Sequence, residues 1–244
     1  MIIETCPTPQ DVSLAAAKLF SQTAHSAVEK HGNFAVALSG GSTPKLLFET
    51  LAQAPFKNEV PWEKIHVFWG DERWVPANDD RSNEKMTRQA LLNQVPVPES
   101  QIHPMYHAKG SLEEACALYE KELKALGRPL DLVLLGLGDN GHTASLFPHT
   151  RVLEESEKAV DYFYLEEQSM SRMTLTASTI NQASHILFLV CGESKASIVH
   201  SVLEGPKQPS EWPAQLIHPE KGQLTWLLDQ AAAFRIHSKP SPVV

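Results

Sequence analysis

Asp131-Leu132-Val133-Leu134-Leu135 runs directly into Gly136-Leu137-Gly138-Asp139-Asn140-Gly141-His142-Thr143-Ala144-Ser145. A short apolar run without alternation, stopped by glycine, reads as a strand buried on both faces. Working outward, similar runs recur at Phe34 to Leu38, Ile65 to Trp69, 185–191 and 224–228, with further strand patterns at 159–164 and 172–177. Helical periods lie between them. Thr8-Pro9-Gln10-Asp11 opens the first: Thr8 caps, Pro9 suits the first turn and Asp11 suits the positive end. Val12, Ala16, Leu19, Phe20, Ala24, Ala27 and Val28 follow at helical spacing, and Gly32 ends the run. Further helices are expected over 44–53, 82–94, 111–126 and 194–204. Buried strands alternating with helices predict one α/β domain over 1–244, with an open, mainly parallel sheet and helices on both faces. Ligands of such sheets sit at the carboxyl ends of the strands.

The chain has 244 residues, with 21 Lys plus Arg against 29 Asp plus Glu, a formal charge of −8. That balance argues against a nucleic-acid binder and against a protein that hugs anionic membranes. A chain of this length buries roughly 70–75% of its unfolded surface and needs no disulfide or metal to hold a core. Cys6, Cys116 and Cys191 are widely spaced and form no C-x-x-C pair, so neither a disulfide framework nor a zinc ribbon is expected. Cys191 reads as a small buried hydrophobe. No apolar run reaches the length of a membrane span, and the first residues lack the pattern of a secretory signal. The expected location is the cytoplasm.

Three strand ends carry chemistry. Ser39-Gly40-Gly41-Ser42-Thr43-Pro44-Lys45 follows the strand at 34–38. Two glycines allow close backbone approach, and the helix opening presents free N–H groups that suit an anion such as phosphate. The spacing is not that of a Walker loop, and a bare Gly-Gly turn also serves a strand-to-helix connection with no ligand. The run 136–141 contains G-x-G-x-x-G, but it lies mid-chain, Pro148 follows closely, and no ribose-binding acidic residue follows at the right spacing. It reads instead as a glycine turn projecting His142, a side chain able to move protons near neutrality. Trp69-Gly70-Asp71-Glu72-Arg73-Trp74 follows a third strand. Glu72 and Arg73 read as an ion pair fixing a loop, which leaves Asp71, nearest the strand, as the functional candidate. Arg172 and Lys195 stand at element boundaries. Arg81 reads as a surface residue. His103 and His107 are four apart, but Pro104 opposes a helix there, and no metal site is expected. H-E-x-x-H and G-x-S-x-G motifs are absent.

Together, SGGSTPK at 39–45, DER-x-V-P at 71–76, SNEKMTRQALL at 82–92, GLGDNGHTASLFP at 136–148, RMTLT at 172–176 and Gly192-x-x-Lys195-Ala196 span most of the chain. In this order they resemble the 6-phosphogluconolactonase family. The resemblance implies a Rossmann-like fold shared with glucosamine-6-phosphate deaminase, no cofactor, and hydrolysis of 6-phospho-D-glucono-1,5-lactone. It implies His142 as general base and Gly40, Gly41, Ser42 and Thr43 as the lining of the substrate site. Arg172 and Lys195 would hold the phosphate, and Arg88, which matches a recurrent arginine of the family, would bind substrate or serve the structure. The family commonly has Asp where this chain has Asn140, a residue that accepts a hydrogen bond but supplies no charge. Asp139 is then the nearest carboxylate.

The partner expected is a small phosphorylated sugar lactone, bound by a monomer or small homo-oligomer. Two rivals remain. An aminosugar-6-phosphate deaminase/isomerase shares the Gly-His turn, but carries a pattern resembling D-G-H-I-A-F-N-E-P, whose Asn-Glu pair is missing here. A non-catalytic sugar-phosphate sensor of the regulator type carries a DNA-binding head, whereas the first 32 residues here read as one helix.

Overall fold

The computed structural model describes residues 1–219 and 221–237, together with the backbone of 241–242. Its centre is a seven-stranded, all-parallel sheet: β1 (Ile2–Cys6), β2 (Phe34–Leu38), β3 (Ile65–Trp69), β5 (Leu132–Leu135), β8 (His185–Val190), β9 (Gln223–Asp229) and β10 (Ser241–Pro242). The spatial order is β10-β1-β9-β8-β5-β2-β3. Every residue of β2 and β5, and all but the first of β8, is buried. Both faces of the sheet's middle are therefore covered, as the unalternating apolar runs require.

The helices are α1 (Pro9–His31), α2 (Ser42–Leu51), α3 (Phe56–Glu59), α4 (Asn83–Thr87), α5 (Leu112–Ala125), α6 (Ala177–Asn181) and α7 (Ala196–Leu203). Sequence signals explain their ends. Thr8 caps α1 in a reciprocal box with Asp11, and Gly32 closes it with φ +80°, a left-handed conformation that glycine adopts without steric cost. Ser111 and Glu114 form the same box on α5. The helix expected over 82–94 is instead α4 capped by Ser82, continued by a single π-helical turn over Arg88–Leu92.

Two departures matter for the site. The strand patterns at 159–164 and 172–177 become β6 (Val160–Leu165) and β7 (Met170–Leu175), and they do not join the parallel sheet. With β4 (Asp71–Arg73) they form a separate antiparallel sheet in the order β4-β7-β6. Gly70 is the joint between the sheets: its N–H donates to the Leu38 carbonyl at the end of β2, and its own carbonyl accepts from Leu175 on β7. The segment expected to be a loop after β3 is thus a strand.

The consequence for function is positional. The carboxyl ends of β8, β5, β2 and β3 lie side by side. The turns at 191–195, 136–145, 39–43 and 70–73 all leave from that one edge, and the antiparallel sheet closes over it. No helix among the described residues is long and apolar enough to cross a membrane.

Candidate active site

A cavity of about 310 Å³ opens at this edge, with walls drawn from all four turns and from β7. Gly40, Gly41, Ser42, Thr43, Asp71, His142, Arg172 and Lys195, each expected from sequence, line it. Arg73, expected to be half of an ion pair fixing a loop, also lines it, as do Asn83, Phe147 and Gln168. Arg88 lies outside. Its guanidinium is committed to Glu84 at 2.8 Å and Glu99 at 2.6 Å, so it braces the π-helical turn against the loop at 99 and is corrected to a structural role.

On one wall, Gly41 is the N-cap of α2 with φ +103° and no side-chain cap, so the first N–H groups of the helix are left for the cavity. The glycine at 40 is dictated by a close approach: a Cβ there would fall 1.9 Å from Oδ1 of Asn83. Asn83 in turn donates through Nδ2 to the carbonyl of Asp71 at 2.9 Å, tying α4 to β4.

The glycine turn after β5 does not open a helix, so it lacks the helix N-terminus that receives a dinucleotide's pyrophosphate. It holds a histidine. Gly138 donates its N–H to the His142 carbonyl at 2.8 Å, and a Cβ on Gly138 would fall 2.0 Å from the imidazole. Gly141, with φ +77°, has the backbone of Trp212 within 3.0 Å of where its Cβ would be. The ring stacks on Phe147 with centroids 4.0 Å apart and planes 17° from parallel.

Asn140 fixes the tautomer of that ring. Its Oδ1 accepts from the backbone N–H of His142 at 3.3 Å and faces Nδ1 at 2.6 Å. The backbone donor sets the amide's orientation, so Nδ1 must carry the proton and Nε2 keeps its lone pair. Burial pushes the imidazole down to about 4, Asp71 pulls it up, and Arg172 and Lys195 push it down further. At neutral pH the ring is an uncharged base with one nitrogen free. Cys191 is half-buried on the wall rather than fully buried, and burial pushes its thiol up to about 12, so it is no nucleophile.

Two of the cavity's cations come from the second sheet. Arg73 on β4 sits directly across from Arg172 on β7, and Asp71 across from Thr174, so all four share one face. Arg172 is almost wholly buried. Burial pulls its pKa below the ordinary guanidinium value, Asp71 at 3.9 Å opposes that, and Arg73 adds to it. Gln168 accepts from Nη2 of Arg172, whose guanidinium also lies over the Phe147 ring at 5.7 Å. Nε of Arg73 and Nε of Arg172 are buried and have no hydrogen-bond partner among the described residues. Two adjacent guanidiniums with spare donors favour an anion. Lys195, on the turn before α7, pairs with exposed Asp139 at 2.5 Å.

Two carboxylates beside them serve the scaffold. Asp71 accepts from Ser145 Oγ at 2.6 Å, tying β4 to the histidine turn. Glu72 does not pair with Arg73 as expected. Its oxygens accept from the N–H groups of Arg73, Asn83 and Glu84 and from the Ser82 hydroxyl. Burial pushes its carboxyl up to about 7, against the pull of those three backbone donors.

Residues 7–226 match the family model for glucosamine-6-phosphate isomerases and 6-phosphogluconolactonase. A 6-phosphogluconolactonase of Synechocystis sp. is 44% identical over 213 residues, covering 84% of this chain and 86% of its own length. One of Nostoc sp. is 37% identical, covering 94% of this chain and 96% of its own. The solved structure of 6-phosphogluconolactonase from Trypanosoma brucei superposes with a TM-score of 0.84 at 28% identity, covering 96% of this chain and 98% of that one.

Proposed function

The chain belongs to the glucosamine-6-phosphate isomerase and 6-phosphogluconolactonase family, and on that premise we propose that it hydrolyses 6-phospho-D-glucono-1,5-lactone to 6-phosphogluconate with His142 as general base. This is the lactone-opening step of the oxidative pentose phosphate pathway. The observation that carries the catalytic reading is the placement of His142: it lines one cavity with Arg73, Arg172 and Lys195, and its Nδ1 lies 2.6 Å from Oδ1 of Asn140, which leaves Nε2 as the nitrogen to accept a proton.

A δ-lactone is an activated ester and needs no covalent nucleophile. Water attacks C1 while Nε2 takes its proton. The electron pair moves onto the carbonyl oxygen, where backbone N–H groups of the turn at 40–41 are candidate donors; that of Gly138 is already given to the His142 carbonyl. Collapse breaks the bond from C1 to the ring oxygen, and the imidazolium returns its proton to that oxygen. The phosphate is assigned to Arg73, Arg172 and Lys195 with the open start of α2.

The test pairs substrates and a variant. Wild type should hydrolyse the phosphorylated lactone far faster than the unphosphorylated one, above the uncatalysed background. His142→Ala keeps its KM and loses about 10²–10⁴-fold in kcat. Near-normal turnover by that variant removes His142 as base, and ammonia release from glucosamine 6-phosphate in place of lactone hydrolysis overturns the substrate assignment.

A further inference from the structure

We propose that His200, Glu204 and His237 form a binding site for one divalent first-row transition cation of the zinc, cobalt or nickel kind, separate from the cavity. His200 and Glu204 are four residues apart at the end of α7, so they share one face a single turn apart. His237 comes from the chain that follows β9. One ligand atom from each lies within 4.8 Å of the other two.

The three groups are already drawn together. Nδ1 of His200 stands 3.2 Å from Oε2 of Glu204. The backbone N–H of His237 donates to both oxygens of that carboxylate, at 3.0 and 3.1 Å. The two imidazoles meet edge to face at 5.8 Å. Metal–ligand bonds of about 2.0–2.2 Å place tetrahedral ligands about 3.3 Å apart, a contraction that side-chain rotation supplies.

The donor set selects the ion. Two imidazoles and a carboxylate suit zinc, cobalt or nickel, whereas magnesium and calcium prefer oxygen ligands alone. Glu204 is the C-cap of α7. His200 is half-buried and His237 exposed, so solvent reaches the site and a fourth position can hold water.

None of the three residues lines the cavity. His200 lies about 7.5 Å and Glu204 about 13.5 Å along α7 from Lys195. The ion would staple the segment over 230–237 to α7 and take no part in the reaction. It revises the sequence expectation of no metal, which rested on local motifs and missed a ligand 33 residues beyond Glu204.

The experiment uses the full chain stripped with a chelator. Equilibrium dialysis should give one saturable Zn²⁺ per chain. Tm should rise by about 5–10 °C at a hundredfold excess over Kd, with no such rise for Mg²⁺. Co²⁺ should give the visible bands of a tetrahedral nitrogen–oxygen site without a thiolate band. His200→Ala and His237→Ala should each weaken Zn²⁺ binding by about tenfold or more and leave kcat and KM unchanged. His25→Ala, on α1, should bind as wild type does. Wild-type affinity in the His200→Ala/His237→Ala double variant, a cobalt–thiolate band, or no saturable binding up to about 1 mM Zn²⁺ overturns the proposal.

Discussion

Asn140→Asp places a carboxylate against the nitrogen that sets the state of His142. The present contact is 2.6 Å from Oδ1 to Nδ1 and carries no formal charge. A charge there, centred about 4 Å from the imidazolium, is worth about 1 kcal/mol in water and about 4 kcal/mol at an effective dielectric constant of 20. With about 1.4 kcal/mol per pKa unit, that spans roughly one to three units. Asn140 is exposed, so screening favours the lower part, about one to two units. The imidazole sits at about 4, and the variant's should therefore lie at about 5–6.

The sign is fixed by the role of a base. Activity requires the neutral ring, so the acid limb of kcat/KM falls as pH drops through the free enzyme's imidazole pKa. Wild type should be nearly fully active at pH 5. The variant should retain between a half and a tenth of its own plateau there. Its plateau should not fall, because a more basic nitrogen is the better proton acceptor. Quenched-flow measurement of lactone and acid, separated chromatographically, gives the profile where spontaneous opening is slow. Both enzymes meet the same substrate, so titration of its phosphate cancels from the difference. An acid limb that stays in place while the plateau drops would refute the reasoning: either Asn140 does not face the base, or His142 is not the base.

Three further outcomes follow from the geometry. Gly138→Ala puts a methyl 2.0 Å from the imidazole; kcat should fall nearly as far as in His142→Ala while far-ultraviolet circular dichroism stays native, and a variant with normal kcat would show that the ring need not sit where it does. Arg172→Ala removes a cation whose grip acts alike on ground and transition states, so KM should rise by roughly 10–100-fold with a smaller change in kcat, measured by initial rates; an unchanged KM would release Arg172 from the phosphate. Glu72→Gln sets an amide NH₂ against buried N–H donors, so urea denaturation should show a loss of about 1–3 kcal/mol; unchanged stability would show that the carboxylate does not brace α4.

What the sequence disclosed depended on how each feature is encoded. The parallel strands were legible because burial on both faces leaves an unbroken apolar run, as in β2, β5 and β8. The start of the first helix was legible because capping is local, Thr8 with Asp11; Ser82 and the Ser111–Glu114 box cap α4 and α5 in the same local way. The histidine turn was legible because glycines at 138 and 141 answer close approaches within a few residues or to one packed neighbour. Arg88 was misplaced because its partners, Glu84 and Glu99, are ordinary acidic residues whose pairing needs the π-helical turn to be known.

The second sheet was hidden for a different reason, and it supplies two of the cavity's cations. β4 is Asp-Glu-Arg, three charges with no apolar signal, and it is a strand only because β7 and Gly70 satisfy its backbone. Had it been read as one, the period of two would have put Asp71 and Arg73 on the same face and Glu72 on the other, separating the cavity residues from the helix brace. The same step explains how a chain of net charge −8 can present a cationic cavity. Arg73 and Arg172 are held side by side by strand pairing, against their mutual repulsion, with Asp71 within 3.9 Å of Arg172. One buried and one half-buried guanidinium beside a single carboxylate retain an excess of positive charge. That excess is local to the strand register and is not visible in any count of residues.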